Sequence, residues 1–321
     1  MTPDWFRQNY ASVRDQISRV VIGQPELVDE VLIAIFAKGH VLIEGAPGLG
    51  KTLLVRALAR VLGCQFKRIQ FTPDLMPSDV TGGNVFDQRQ NAFVFVPGPI
   101  FTQLCLADEI NRAPAKTQAA LLEAMQDRSV TADGESRALP EPFFVIATQN
   151  PIESQGTYPL PEAQLDRFLM KVQVKHPSHA VERDILRSHA RGFDPARLDS
   201  AALEIVLHDR DVIAMQKYAS SIAIDEGVID YIVQIVGRTR QHRAIALGAS
   251  PRASIALLAA ARVRAAAVGR HFVVPDDVKS LATPVLRHRI SLHPDAELEG
   301  VSPDDCIAGI LREVVVPNTA G

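Results

Sequence analysis

The chain has 321 residues, 47% of them hydrophobic and 22% charged, with a formal net charge of −3. That length holds one large α/β domain and a smaller one, and the charge excludes a bulk polycation that grips nucleic acid by charge alone. Cys64, Cys105 and Cys306 lie far apart without a CxxC pair, and the nine histidines show no HxH or HExxH spacing; this argues against a zinc site or a disulfide framework and suits a reducing, cytoplasmic compartment.

The opening segment MTPDWFRQNYASVRDQ carries charges and no apolar run, so no secretory signal is expected. HVLIE (40–44) is a short apolar run expected as a strand. A glycine-rich turn follows, then the amphipathic helix KTLLVRALARVLG, stopped by Gly63. FKRIQF (66–71), LCLADEI (104–110), PFFVIATQ (142–149) and FLMKVQV (168–174) read as further buried strands. Strands alternating with helices predict a mostly parallel, doubly wound sheet. Residues 84–96 alternate around a polar centre, and 129–140 carry the Asp133-Gly134 turn pair; both are expected hairpins inserted into the βαβ repeat. The longest uncharged stretch, Gln90–Ala107, contains Pro97, Gly98 and Pro99, which fits strands and a turn and not a membrane span. After His176-Pro177, helical periodicity dominates, including PRASIALLAAARVRAAAVG with Ser250 as its cap. A boundary is expected between residues 176 and 195, dividing an α/β nucleotide-binding domain (1–185) from an α-helical lid (186–321). The tail PNTAG is expected to fray.

GAPGLGKT (45–52) matches G-x-x-x-x-G-K-[ST] in full. Gly45, Gly48 and Gly50 let backbone N–H groups turn toward phosphate oxygens, with Ala46, Pro47 and Leu49 filling the loop. Lys51 reaches the β- and γ-phosphates, and the Thr52 hydroxyl ligates Mg²⁺. A strand before it and a helix after it supply the context of an ATP phosphate loop. Asp108-Glu109 ends a strand beside that loop: Asp108 is the expected metal partner, and Glu109 the base that polarises the attacking water. Asn150 ends another strand, either as a partner of the water or γ-phosphate or as part of an Asn-Pro turn. Arg167 has two readings, an ion-pair partner of Asp166 or Glu162, or a cation reaching a neighbouring subunit's nucleotide. Arg252 has a similar choice, with a solvated helix start as the alternative. The basic residues Arg262, Arg264 and Arg270 fit a solvated or intersubunit face better than a nucleic-acid surface.

GAPGLGKT, LADEINRAPAKTQAALLEAMQD, ATQNPIESQGTYPLPEAQLDRFLMK and GASPRAS together resemble the MoxR family of AAA+ ATPases, along nearly the whole chain. The resemblance implies a P-loop AAA+ core whose two hairpins are a helix-2 insertion and a pre-sensor-1 hairpin, followed by the helical lid. It implies that Ile22, Gly23 and Gln24, within VIGQ, contact adenine. Lys51 and Thr52 would belong to Walker A and Asp108 and Glu109 to Walker B; Asn150 would be sensor 1, Arg167 the arginine finger and Arg252 the sensor 2 arginine. It further implies a homohexameric ring with ATP and Mg²⁺ at subunit interfaces. The ring would act as a chaperone on a separate protein partner, often one with a von Willebrand factor A domain. The same AAA+ branch includes helicases or translocases and a metal-chelatase subunit, so a nucleic-acid motor and a chelatase ATPase are the competing functions. Neither nucleic-acid binding nor membrane insertion is expected: the hairpin tips Asp87-Gln88-Arg89-Gln90 and Asp133-Gly134-Glu135 hold three acids and one arginine.

Overall fold

Two helices precede the strand expected at 40–44. Helix α1 (Pro3–Ser18) begins where Thr2 Oγ1 accepts the Trp5 N–H at 3.2 Å, with Pro3 in its first turn. Its Phe6, Tyr10, Val13 and Ile17 recur every three or four residues and are all buried. Helix α2 (Pro25–Phe36) is apolar almost all round and lies inside. The computed structural model describes residues 2–132, 134–150, 156–195 and 197–317. Asp133, Pro151 and the end of the PNTAG tail, residues 318–321, lie outside these.

The chain then runs through β1 (Val41–Glu44), α3 (Lys51–Val61), β2 (Phe66–Gln70), α4 (Pro77–Thr81) and the hairpin β3 (Gly82–Asp87)–β4 (Ala92–Pro97). It continues through β5 (Leu104–Asp108), α5 (Ala115–Asp127), the hairpin β6 (Ser129–Ala132)–β7 (Glu135–Ala138), β8 (Phe144–Gln149), α6 (Glu162–Leu165) and β9 (Met170–Gln173). Five strands form one parallel sheet in the order β2-β5-β8-β1-β9. Period-2 alternation splits their side chains between two cores. Val41, Ile43, Leu104, Leu106, Phe144 and Ile146 pack on the α3 side, whereas Leu42, Cys105, Ala107, Val145 and Ala147 pack against α5 on the other. One expected strand needs correction. Residues 66–71 form the sheet's edge, where Ile69 is buried but Lys67 and Arg68 are exposed; an edge strand has neighbours on one side only, so it tolerates charge there.

From residue 179 the chain is mainly helical: α7 (His179–Ala190), α8 (Asp209–Ser220), α9 (Glu226–Thr239), the short strand β10 (Ile245–Leu247), α10 (Pro251–Ala267), α11 (Pro275–Leu286), β11 (Ser291–Leu292), α12 (Pro294–Leu298) and α13 (Pro303–Glu313). Residue 185 falls inside α7. Ser250 caps α10 by accepting the Arg252 N–H at 3.2 Å. Buried Ala253, Ala256, Ala260, Ala261, Ala265 and Ala266 let α1, α8, α9 and α11 close on α10. The core on the α3 side runs without a break into this helical part: the Phe6 ring lies 5.8 Å from Tyr218, and Gln216 donates to the Ile35 carbonyl at 2.8 Å. Among the described residues, no helix is long and apolar enough to cross a membrane.

Candidate active site

The parallel registers bring the C-terminal ends of β2, β5, β8, β1 and β9 to one edge of the sheet, where ligands of open α/β sheets bind. The loop 45–50 leaves β1 there. Glu44 anchors its base by accepting from Lys171 at 2.9 Å and Gln149 at 2.7 Å. Gly48 and Gly50 have φ of +83° and +79°, a conformation that glycine adopts without Cβ strain and that turns the loop into the N-terminus of α3. The Lys51 ammonium donates to the Gly45 carbonyl at 2.6 Å. Burial lowers its pKa, and the nearby Asp108 and Glu109 oppose that shift.

Asp108 and Glu109 leave the end of β5 on different backbones. Asp108 is 8% exposed; its Oδ1 accepts from the Thr148 hydroxyl at 2.5 Å and its Oδ2 accepts from Arg68 Nη2 at 2.6 Å and Nε at 3.0 Å. Glu109 adopts φ +56°, which costs a non-glycine residue about 1–2 kcal/mol and swings its side chain out of the strand's alternation. Thr148 offsets part of this by accepting the Glu109 N–H at 2.9 Å. The Glu109 carboxylate accepts from Gln70 at 2.8 Å and Arg112 at 3.0 Å.

These groups share a cleft of about 510 Å³ lined by Pro47, Gly48, Gly50, Lys51, Thr52, Leu53, Arg56, Arg68, Asp108, Glu109, Asn150 and Pro195. The phosphate loop, the paired acids and the strand-end asparagine are thus brought together in one cleft. The donor set fits a hard divalent cation: one carboxylate and one hydroxyl facing the phosphate-loop glycines, with nucleotide oxygens and water completing the shell. An apolar recess adjoins this cleft, lined by Val20, Val21, Ile22, Gln24, Leu49, Leu53, Pro177, Ile185, His189, Phe193 and Pro195 among others. It suits a flat heterocycle. Ile22 and Gln24 line it, and Gln24 Nε2 also donates to the Leu49 carbonyl at 3.4 Å. Gly23 does not face it. It packs under α7, where an added Cβ would meet Val181 Cγ1 at 2.3 Å.

Arg167 and Arg252 stand elsewhere. Both line a second hollow with Lys38, His40, Arg128, Asp166, Leu169 and Arg289, and neither lines the phosphate cleft. Arg167 donates to the Leu122 carbonyl at 2.7 Å, and the first of its two readings, an ion pair with Asp166 or Glu162, is absent among the described residues. Asp166 instead accepts from Arg289 Nε at 2.7 Å and from Ser250 Oγ at 3.2 Å. Sequence motifs do not mark Arg68, Gln70, Arg289 or the recess-lining side chains of α7 and the segment after it. A signal existed for the last group: Ile185, His189 and Phe193 recur every four residues.

The description "ATPase family associated with various cellular activities (AAA)" matches residues 40–170, and "AAA lid domain" matches residues 237–310. The uncharacterized protein YeaC of Bacillus subtilis is 48% identical over 94% of this chain and 93% of its own length. Chaperone MoxR1 of Mycobacterium tuberculosis is 43% identical over 94% of this chain and 81% of its own. A crystal structure described as a candidate ATPase from Cytophaga hutchinsonii superposes with a TM-score of 0.90 at 39% identity, covering 98% of this chain and 97% of that one. With the two family descriptions matched along the chain, these likenesses and the cleft described above, the chain belongs to the MoxR family of AAA+ ATPases and is an ATP-hydrolysing enzyme.

Proposed function

We propose that this ATPase works as a homohexameric ring, a cytoplasmic chaperone that remodels or activates a separate protein partner, with residues 1–185 binding nucleotide and 186–321 acting as the lid. The observation that carries the ring is the position of the two arginines: Arg167 and Arg252 lie together in a hollow apart from the phosphate cleft of their own chain, so a neighbour's nucleotide is their natural target. In this reading Thr52 and Asp108 would hold Mg²⁺, which when bound draws charge from the phosphate oxygens. Lys51 binds the β- and γ-phosphates. Glu109 takes a proton from a water that Asn150 orients; the water oxygen bonds to the γ-phosphorus as the bond to the β–γ bridging oxygen breaks, leaving ADP and phosphate. Arg167 and Arg252 of the adjacent subunit offset charge on the transferred phosphoryl group.

Support for a protein partner comes from the name of the chaperone MoxR1 and from the hairpin β3–β4. That hairpin exposes Val85, Phe86, Phe93, Val94 and Val96, an apolar surface without the run of cations that tracks a phosphate backbone. A protein with a von Willebrand factor A domain is the partner class to try first. The ring is tested by mixing Arg167→Ala subunits with Lys51→Ala subunits. Each is inactive alone, and mixed rings regain turnover because one interface type then has an intact loop and an intact finger. No recovery in rings shown to be mixed refutes action in trans. Duplex DNA that binds in a salt-sensitive way and raises turnover several-fold would replace the chaperone by a motor.

A further inference from the structure

Asp108 holds a buried carboxylate beside the phosphate loop, and a buried carboxylate requires a counter-charge. Lys51 is nearby, but its ammonium donates to the Gly45 carbonyl, and the direct ion pair of Asp108 is with another cation. Among the described residues, the basic side chain within ion-pairing distance of Asp108 is Arg68. The parallel register explains the contact. Arg68 lies opposite Leu106 and Gln70 opposite Asp108, so Arg68, Gln70 and Asp108 point to the same face of the sheet, the face that carries α3 and the phosphate loop. Arg68 spends two N–H groups on one oxygen of Asp108, while Thr148 takes the other oxygen. Its guanidinium lines the same cleft as Thr52.

We propose that Arg68 and the divalent cation are alternative partners of Asp108: the guanidinium neutralises the carboxylate until a cation arrives with the nucleotide, and it must withdraw for the cation to settle. The proposal rests on reading this cleft as the nucleotide site. Three facts carry it. A guanidinium 2.6 Å from Oδ2 occupies the space and the charge complement that a cation at Asp108 and Thr52 would use. The Arg68 side chain is 47% exposed, so it has solvent to swing into, whereas Asp108 is fixed by β5 and by Thr148. Gln70, on the same edge strand β2, accepts from Arg68 Nη2 at 2.5 Å, a partner that Arg68 keeps when it leaves Asp108. Arg68 therefore sets the cation concentration at which the site loads; it is a positioning residue that acts through Asp108.

The test is the binding of a fluorescent ADP analogue by anisotropy, first in EDTA and then across a Mg²⁺ series, for wild type, Arg68→Gln and Arg68→Lys. Circular dichroism checks folding, and the lysine variant carries the comparison if the glutamine variant does not fold. For Arg68→Gln, affinity in EDTA should stay within about twofold, and the Mg²⁺ midpoint should fall by roughly threefold to fivefold, the scale of a half-exposed ion pair. Arg68→Lys should shift in the same direction by less. An unchanged or raised midpoint overturns the proposal. So does an EDTA affinity weakened about tenfold or more, which would put Arg68 on the phosphates. Failure of the wild-type protein to bind the analogue at any Mg²⁺ concentration in the series would strike the nucleotide-site reading itself, and the proposal with it.

Discussion

In the phosphate cleft, acids and cations occur together: Arg68 pairs with Asp108 and Arg112 with Glu109, and Lys51 lies near both carboxylates. The hollow around Arg167 is built differently. Lys38, Arg128, Arg167, Arg252 and Arg289 line it against one carboxylate, Asp166, which is already committed to Arg289 and Ser250. A cleft with both signs is close to neutral and can discriminate among ligands by geometry. A hollow with five cations and one acid carries uncompensated charge, and it is most stable when an anion from outside completes it. The difference matches the two roles proposed above, the mixed-charge cleft for the chain's own nucleotide and the cationic hollow for a neighbour's.

Four variants or conditions break or sharpen that contrast. The largest effect is expected for Arg167→Ala: turnover falls by up to ~10³-fold, while nucleotide affinity of the isolated subunit is unchanged by calorimetry. A parallel loss of affinity would move Arg167 into the chain's own site. Glu109→Gln, in the mixed-charge cleft, should lower steady-state turnover by roughly two orders of magnitude and leave ATP binding intact; unchanged turnover removes Glu109 from the chemistry.

The third concerns His40, which lies under the cationic hollow. Its Nδ1 accepts the Val145 N–H at 2.9 Å, so Nε2 carries the proton and meets the Met125 carbonyl at 3.1 Å. Burial lowers its pKa from 6.5 to about 4. The folded protein therefore favours the neutral ring. This stability is complete above pH 6.5 and is lost as pH falls toward 4. Between pH 7 and pH 5 it amounts to ~2 kcal/mol; His288, whose pKa burial also lowers, adds in the same direction. Urea unfolding followed by the single tryptophan, Trp5, should show this slope in wild type and a shallower one in His40→Gln. Equal slopes would exclude His40 as the source. The smallest effect belongs to Arg56, which donates to the Pro195 carbonyl at 2.8 Å and ties α3 to the segment that closes the base recess. Arg56→Ala should weaken adenine nucleotides by up to ~1 kcal/mol, read as a change in Kd with no change in the Mg²⁺ requirement.

What could be read in advance follows the range of each interaction. The phosphate loop is legible because its function depends on neighbouring residues and on glycines whose φ only local sequence dictates. The strand ends at Asp108 and Asn150 are legible because an apolar run stops at a polar residue. Arg68 and Gln70 are not, because their role comes from β2 lying beside β5, a pairing between segments about 40 residues apart whose one-residue register decides which face they join. FKRIQF alternates too little to announce an edge. Arg167 and Arg252 admit two readings each in the sequence, since no spacing reveals that residues 85 apart share a hollow. Helix α1 is legible too: Thr2-Pro3-Asp4 is a helix start, and Phe6, Tyr10, Val13 and Ile17 mark one face.

Arg289 holds more than a side chain in place. Besides Asp166, its guanidinium donates to the carbonyls of Phe168, Leu169 and Val285, all nearly or wholly out of solvent. The turn that leads into β9 is thereby bolted to the end of α11, and the continuous core under α1, α8 and α10 makes a second bolt. Neither half can melt without exposing polar and apolar surface of the other. Heat or urea should therefore dismantle the sheet and the helical part in one cooperative transition, with coincident curves from far-ultraviolet dichroism and from Trp5. Protease should find no intermediate in which the helical part hangs loose from a folded sheet.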